Sequence, residues 1–148
     1  MTTMVKDVMS HPAVTCLPTD TMDVPARLMW QYDCGAIAVV NSDGRLTGMV
    51  TDRDLCMAAY TQGRPMQTIP VATAMAEHPI AVHPTDTIDV AQDLMRDHQI
   101  RRLAVLDVAG RPVGVLSIND LARLAAHAHP GETDRQITRT LAAICQPR

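Results

Sequence analysis

The sequence predicts an α/β (α+β) fold: two β-α-β-β-α repeats packed with pseudo-two-fold symmetry, followed by a C-terminal helix. Three observations predict it. Sliding the 148-residue chain by 66 positions aligns residues 9–59 with 75–125 without a gap, and 17 of the 51 aligned positions are identical. Each copy passes through the same succession of strand-like and helix-like patterns. Beyond the second copy, within residues 133–145, Ile137, Leu141 and Ile144 stand at i, i+4 and i+7. That apolar helical stripe must dock on something, and its own domain is the expected place. Two copies make a pseudo-symmetric pair, because a solenoid needs at least three.

Each copy opens on a strand, residues 14–17 and 80–83. A Pro-Thr-Asp-Thr segment follows. Its last residue, Thr21 or Thr87, is the expected helix N-cap, since a Thr hydroxyl accepts from an otherwise unpaired N–H. Ile88, Ala91, Leu94, Met95 and His98 mark the helix of the second copy by their spacing. Pro25 falls in the first turn of the other helix, where no intrahelical donor is lost. Two strands come next, Ala36–Val40 and Leu46–Thr51, joined by Asn41-Ser-Asp-Gly44, a hairpin signal. Their counterparts are residues 103–106 and Pro112–Ser117 around Asp107-Val-Ala-Gly110. A short helix closes each copy, residues 52–60 and Ile118–His127. The predicted organisation is a first repeat at 5–60, a connector at 61–74 carrying Gly63, Pro65 and Pro70, a second repeat at 75–127 and a tail at 130–148, together one module. Pro130-Gly131 breaks the helix ahead of the tail.

Composition excludes several functions. Apolar residues make up 47% of the chain, enough for a core that needs no staple. Trp30, Tyr32 and Tyr60 are the only aromatics, so neither an aromatic cage nor a base-stacking platform can be built. The net charge is −3 and no basic stripe runs along the chain, which disfavours nucleic acid as a partner. The N-terminal residues hold no apolar leader segment, and apolar runs such as Ala36–Val40 fall far short of the roughly 20 residues of a membrane span. The expectation is a soluble, cytoplasmic protein with no membrane partner. Cys16, Cys34, Cys56 and Cys145 show no CxxC spacing and are expected as free thiols. A tail docked on the first strand would bring Cys16 and Cys145 together as a redox pair. No nucleophile–base pair or metal triad can be assembled, so no enzyme is expected. His127 and His129 are the nearest approach to a ligand pair, and no metal site is expected. The ten Met read as core and helix-interface filler, and Met22, Ala26 and Met29 could line a dimer seam.

The chemistry sits in a duplicated phrase. Gly48-Met-Val-Thr51-Asp-Arg-Asp54 and Gly114-Val-Leu-Ser117-Ile-Asn-Asp120 share the pattern Gly-h-h-Thr/Ser-x-x-Asp, where h is apolar. The Gly permits close backbone approach at a strand. The hydroxyl falls at a strand-to-helix junction, beside N–H groups that attract phosphate. The Asp three residues on can accept from both hydroxyls of a ribose. The same spacing is that of a helix capping box, and the two roles are compatible.

These phrases, the doubling, the element order, Met75 followed by Pro79 and the run Met95-Arg-Asp-His98-Gln-Ile-Arg101-Arg102-Leu-Ala-Val-Leu-Asp107 resemble the tandem CBS-domain family over about residues 5–127. The chain looks like a small stand-alone bacterial CBS pair, similar to the hypoxic-response type. The resemblance implies a Bateman module. Such a module is a non-catalytic sensor that binds an adenosine compound (AMP, ADP, ATP, S-adenosylmethionine or NAD(H)) in the cleft between its repeats. It pairs through its helices into a homodimer, signals to a protein partner and requires no cofactor. Ribose and phosphate contacts are implied for Thr51, Asp54, Ser117 and Asp120, with Arg101 and Arg102 for phosphate. The first copy carries Gly35 and Ala36 where the second has those two arginines, so the second site is expected to hold phosphate better. His98 faces either the cleft or solvent. Val14, Thr15 and Ile37 are the expected adenine walls of one site, and Ile80, Val82 and Leu103 those of the other. Two other readings stay open: a protein-interaction module of the same fold that binds no nucleotide, and a redox or metal sensor built on Cys and His.

Overall fold

The computed structural model describes residues 2–127 and 132–146. His129 and the Pro130-Gly131 break lie outside the described residues. Among the described residues the fold is mixed α/β, with two sheets and five α-helices. The chain divides into two compact units. A first-copy unit comprises Pro12–Pro79 with Val108–Pro112; a second-copy unit comprises the N-terminal residues through His11, Ile80–Asp107 and Val113 onward.

The first-copy unit holds β1 (Thr15–Cys16), α1 (Asp23–Tyr32), β2 (Ala36–Val40), β3 (Leu46–Thr51), α2 (Asp52–Gln62) and β4 (Ala76–Glu77), with sheet order β1-β2-β3-β4. β1 runs parallel to β2, and the other pairings are antiparallel. The hairpin turn forms as its residues dictate. Asn41 Oδ1 accepts from the N–H groups of Asp43 at 2.9 Å and Arg45 at 3.0 Å, and Gly44 takes a φ of +79° that a side chain would resist. Every residue of β2 is buried, and Ile37 and Val39 join Cys16, Met22, Met29, Val50, Leu55, Ile69 and Val71 in an aliphatic core. Thr21 does not cap α1. It is drawn into a β-bridge with Pro70, its hydroxyl donates to the Asp23 carboxylate, and Met22 stands at the cap position instead.

The second-copy unit holds β5 (Ala81–Val82), α3 (Ile88–His98), β6 (Arg102–Leu106), β7 (Pro112–Ser117, in this unit from Val113 onward), α4 (Ile118–His127) and α5 (Glu132–Ile144), with sheet order β5-β6-β7. Thr87 does cap its helix, accepting from the Val90 N–H at 3.3 Å. The core is built from Val82, Ile88, Met95, Leu103, Val105, Leu116 and Leu121, and Val5 from the N-terminal stretch is fully buried within it. The Val5 N–H donates to the Asp86 carbonyl at 2.9 Å, and Ser10 bridges Val115 in antiparallel register. Ala76 stands opposite Met49 in the first-copy unit, the same register shifted by 66 residues. The last strand of each hairpin is therefore met by the opening stretch of the other copy, as strand β4 on β3 and as the Ser10–Val115 bridge on β7. This explains the paired glycines. A Cβ on Gly48 would lie 2.9 Å from the Ala76 carbonyl oxygen, and one on Gly114 would lie 2.6 Å from that of Ser10. The close approach these glycines permit is that of a neighbouring backbone.

The tail helix α5 docks on α3 and α4. Ile137 and Ile144 enter the core as the stripe predicts, but Leu141 is 45% exposed and Thr140 is buried in its place. The cause is a polar seam on α3. Thr140 Oγ1 donates to Gln92 Oε1 at 2.8 Å and accepts from Arg96 Nη1 at 3.0 Å, and Gln99 Nε2 donates to the Ala143 carbonyl at 3.2 Å. Gln92 is itself buried and needs that partner, so the helix turns Thr140 inward.

Candidate functional site

Both Gly-h-h-Thr/Ser-x-x-Asp phrases fold as strand-to-helix turns, β3 into α2 and β7 into α4. In the first, the Thr51 N–H donates to Asp54 Oδ2 at 2.9 Å, and Thr51 Oγ1 accepts from the Asp54 N–H at 3.1 Å. This is the reciprocal capping box, which satisfies two donors at the start of α2. Thr51 and Asp54 are both half-buried. The Asp52 N–H donates to the Gly35 carbonyl at 3.0 Å, which ties the turn to the entry of β2.

The second turn repeats the box and adds to it. The Ser117 N–H donates to Asp120 Oδ2 at 2.8 Å, and Ser117 Oγ accepts from the Asp120 N–H at 3.2 Å. Ser117 Oγ also donates to Asp120 Oδ2 at 3.0 Å. Asp120 is only 4% exposed. Its Oδ1 is ion-paired with Arg123 Nη2 and lies 3.5 Å from the Ser10 hydroxyl. A buried carboxylate is tolerated only with such partners. Sequence reasoning misses both. Arg123 carries a legible signal, three residues beyond Asp120 on a helix. Ser10, separated from Asp120 by 110 residues, carries none.

The remaining expected residues scatter. Arg101 is exposed at the entry to β6, and its carbonyl accepts from the Ile118 N–H at 2.9 Å, so its backbone abuts the start of α4. Its guanidinium Nη2 lies 3.9 Å from Cys145 Sγ at the end of the tail. Arg102 is half-buried in β6, and His98 is exposed at the end of α3. Of the expected adenine walls, Ile37, Val82 and Leu103 are 0%, 2% and 0% exposed and fill the two cores. Thr15 is exposed, and Val14 and Ile80 lie at the core margins.

Cys16 belongs to the first-copy unit and Cys145 to the second, and both are free thiols. Burial pushes the Cys16 thiol up to about 12, and Asp20 adds to the shift. His127 Nδ1 donates to the Arg123 carbonyl at 2.7 Å. Among the described residues no group of three or more His, Cys, Asp or Glu is arranged to hold a metal ion. No described helix is long and apolar enough to cross a membrane.

Comparison with known proteins adds relatives to this geometry. The sequence profile described as CBS domain matches residues 5–60 and 71–127. The chain is 41% identical over 118 residues to the CBS domain-containing protein YhcV of Bacillus subtilis, covering 80% of this chain and 82% of that one. It is 31% identical over 147 residues to Hypoxic response protein 1 of Mycobacterium tuberculosis, covering 98% and 96%. Among solved structures, the CBS domain pair of protein MJ0100 in complex with 5′-methylthioadenosine and S-adenosyl-L-methionine matches with a TM-score of 0.78 at 23% identity, covering 85% of this chain and 98% of that one. Hypoxic Response Protein I with two coordinated zinc ions matches with a TM-score of 0.74 at 28% identity, covering 86% and 100%. With both repeats matched, and with a relative aligned over nearly its whole length, the chain belongs to the CBS domain family as a pair of CBS domains.

Proposed function

We propose that the chain is a non-catalytic regulatory module that binds an adenosine-containing ligand, drawn from AMP, ADP, ATP, S-adenosylmethionine and NAD(H), at its strand-to-helix turns. The observation that carries this reading is the turn itself: a hydroxyl, a carboxylate three residues on and the leading N–H groups of a helix, placed together. Helix N–H groups and the helix dipole attract phosphate, and a carboxylate accepts from the vicinal hydroxyls of ribose. Thr51 and Asp54 offer this chemistry in one unit, Ser117 and Asp120 in the other. Arg101 and Arg102 add positive charge at the entry to β6, close to the start of α4. Val14, Thr15 and Ile80 remain for the adenine. The likeness to MJ0100, solved with two adenosine compounds, supports the same ligand class. No cofactor is required. A sensor of this kind acts by binding one conformation more tightly than another, and it shifts the equilibrium by that difference alone.

Titration calorimetry of the purified chain against the five compounds and 5′-methylthioadenosine tests the reading. At least one is expected to bind, and Asp54→Asn, which keeps the size of the side chain and removes its charge, is expected to weaken it by about tenfold or more. If none binds at millimolar concentration, the reading falls.

A protein-interaction role is the second reading. One observation favours it: Trp30 on α1 and Tyr60 on α2 are 91% and 81% exposed. Aromatic side chains on a helical surface are the usual anchors of protein interfaces, and a homodimer through these helices fits both readings.

A further inference from the structure

We infer that the two turns are not equivalent sites: Arg123 and Ser10 close the Ser117–Asp120 turn, and the chain takes one adenosine ligand, at the Thr51–Asp54 turn. The inference rests on the adenosine reading above. It goes beyond it by setting the stoichiometry and naming the residues that decide it.

A carboxylate can hold a ribose only if it has an oxygen to offer. Asp120 has none to spare. Oδ2 receives the Ser117 N–H and the Ser117 hydroxyl, and Oδ1 receives the Arg123 guanidinium and faces the Ser10 hydroxyl. The place of one ribose O–H donor is thus taken by Ser117, a second hydroxyl stands 3.5 Å away on Ser10, and the Arg123 guanidinium supplies the counter-charge. Both kinds of bond are charge-assisted, since the carboxylate is ionised, but the guanidinium adds the attraction of an opposite charge that a neutral hydroxyl lacks, so the exchange is unfavourable. Displacing Arg123 would also leave a carboxylate that is 4% exposed without its counter-charge. The Ser117 hydroxyl is committed as well, since its proton goes to Asp120 and its lone pair receives the Asp120 N–H.

Asp54 differs at each point. It is half-buried, it receives one bond from the described residues, from the Thr51 N–H, and that bond goes to Oδ2. The repeat explains the difference. The position 66 residues before Arg123 is Met57, and the position 66 residues after Ser10 is Ala76. Neither side chain can donate, so no side chain at these two positions takes the place of the clamp. Ala76 pairs with Met49 as Ser10 pairs with Val115, which shows that the backbone geometry is common and only the side chains differ. Arg101 does not restore the balance, since its guanidinium is directed at Cys145.

Calorimetry and equilibrium dialysis with AMP, S-adenosylmethionine and 5′-methylthioadenosine test this on four proteins. They are the wild type, Asp54→Asn, the double variant Ser10→Ala with Arg123→Met, and the converse double variant Met57→Arg with Ala76→Ser. The wild type is expected to saturate at one ligand per chain. Asp54→Asn is expected to lose affinity by about tenfold or more. The first double variant is expected to rise to two ligands per chain. The converse variant is expected to lose its single site, and it keeps the test decisive if the loss of Arg123 prevents folding, which a thermal melt reports. Two ligands on the wild-type chain, or one that survives Asp54→Asn, overturns the inference and leaves the adenosine reading intact. A folded Ser10→Ala, Arg123→Met variant that stays at one ligand also overturns it. Binding by that variant alone shows that the first turn is not a site, which sinks the inference but not the ligand class. No binding by any of the four proteins overturns both.

Discussion

Cys16 is 4% exposed on β1, and burial with the nearby Asp20 carboxylate pushes its thiol up to about 12 from an ordinary value near 9. Between those values the unfolded chain gives up a proton that the folded one keeps. The stability tied to the neutral thiol is therefore complete below about pH 9 and is lost as the pH rises toward 12. Urea unfolding is expected to show a loss of about 1–2 kcal/mol between about pH 8 and pH 10.5 that is missing from Cys16→Ala. A thiol reagent at about pH 8 is expected to label Cys34, Cys56 and Cys145 in the folded protein and Cys16 only after unfolding. Equal labelling of all four would contradict the burial. Gly114 is constrained differently. Its added Cβ would meet the Ser10 carbonyl oxygen at 2.6 Å, and a backbone atom cannot swing aside as a side chain can. Gly114→Ala is expected to cost about 1–3 kcal/mol, read as a lower urea midpoint at unchanged slope. The residues of the two turns were legible from spacing, because a capping box is a local pattern. The clamp on Asp120 was not, because Ser10 reaches it from 110 residues away.

Among the elements, the tail helix shows where periodicity stops informing. Its apolar stripe announces an amphipathic helix, and Ile137 and Ile144 do face the core. The stripe also favours Leu141, yet Thr140 is the residue inside, because Gln92 and Arg96 on α3 present polar groups that a leucine would strand. Thr140→Val is expected to destabilise by about 1–3 kcal/mol through the unpaired Gln92 Oε1, and a second change, Gln92→Leu, is expected to recover much of it. Ile144→Ala is expected to cost about 2–5 kcal/mol, whereas Leu141→Ala is expected to stay within about 0.5 kcal/mol. Chemical unfolding of the four proteins checks the ranking. Equal losses at positions 141 and 144 would mean that the helix docks on another face. Strand lengths were less legible than helices. The apolar runs mark β2 and β3 well, but β1 and β5 shrink to two residues each, since only the pairs opposite Ala38–Val39 and Ala104–Val105 find parallel partners.

For the molecule as a whole, the aromatic inventory points outward. Trp30, Tyr32 and Tyr60 are 91%, 54% and 81% exposed, so none of the three aromatics serves the cores, and all lie on α1 and α2 of the first-copy unit. Homodimer formation through those helices would cover Trp30 and Tyr60. Light scattering behind size exclusion is expected to report a dimer for the wild type and a monomer for Trp30→Asp with Tyr60→Asp. A wild-type monomer at high micromolar concentration, or a variant that still dimerises, would exclude this surface. The chain by its sequence alone determined the duplication, the order of elements, the two hydroxyl–carboxylate turns and the residue types in them. Each of these depends on spacing within a few residues or on the offset between copies. Only the tertiary structure decided which leading segment completes which sheet, which face of the tail helix turns inward, and which of Asp54 and Asp120 keeps an oxygen free. Those outcomes depend on partners brought together from 27 to 110 residues apart, and no local pattern encodes them.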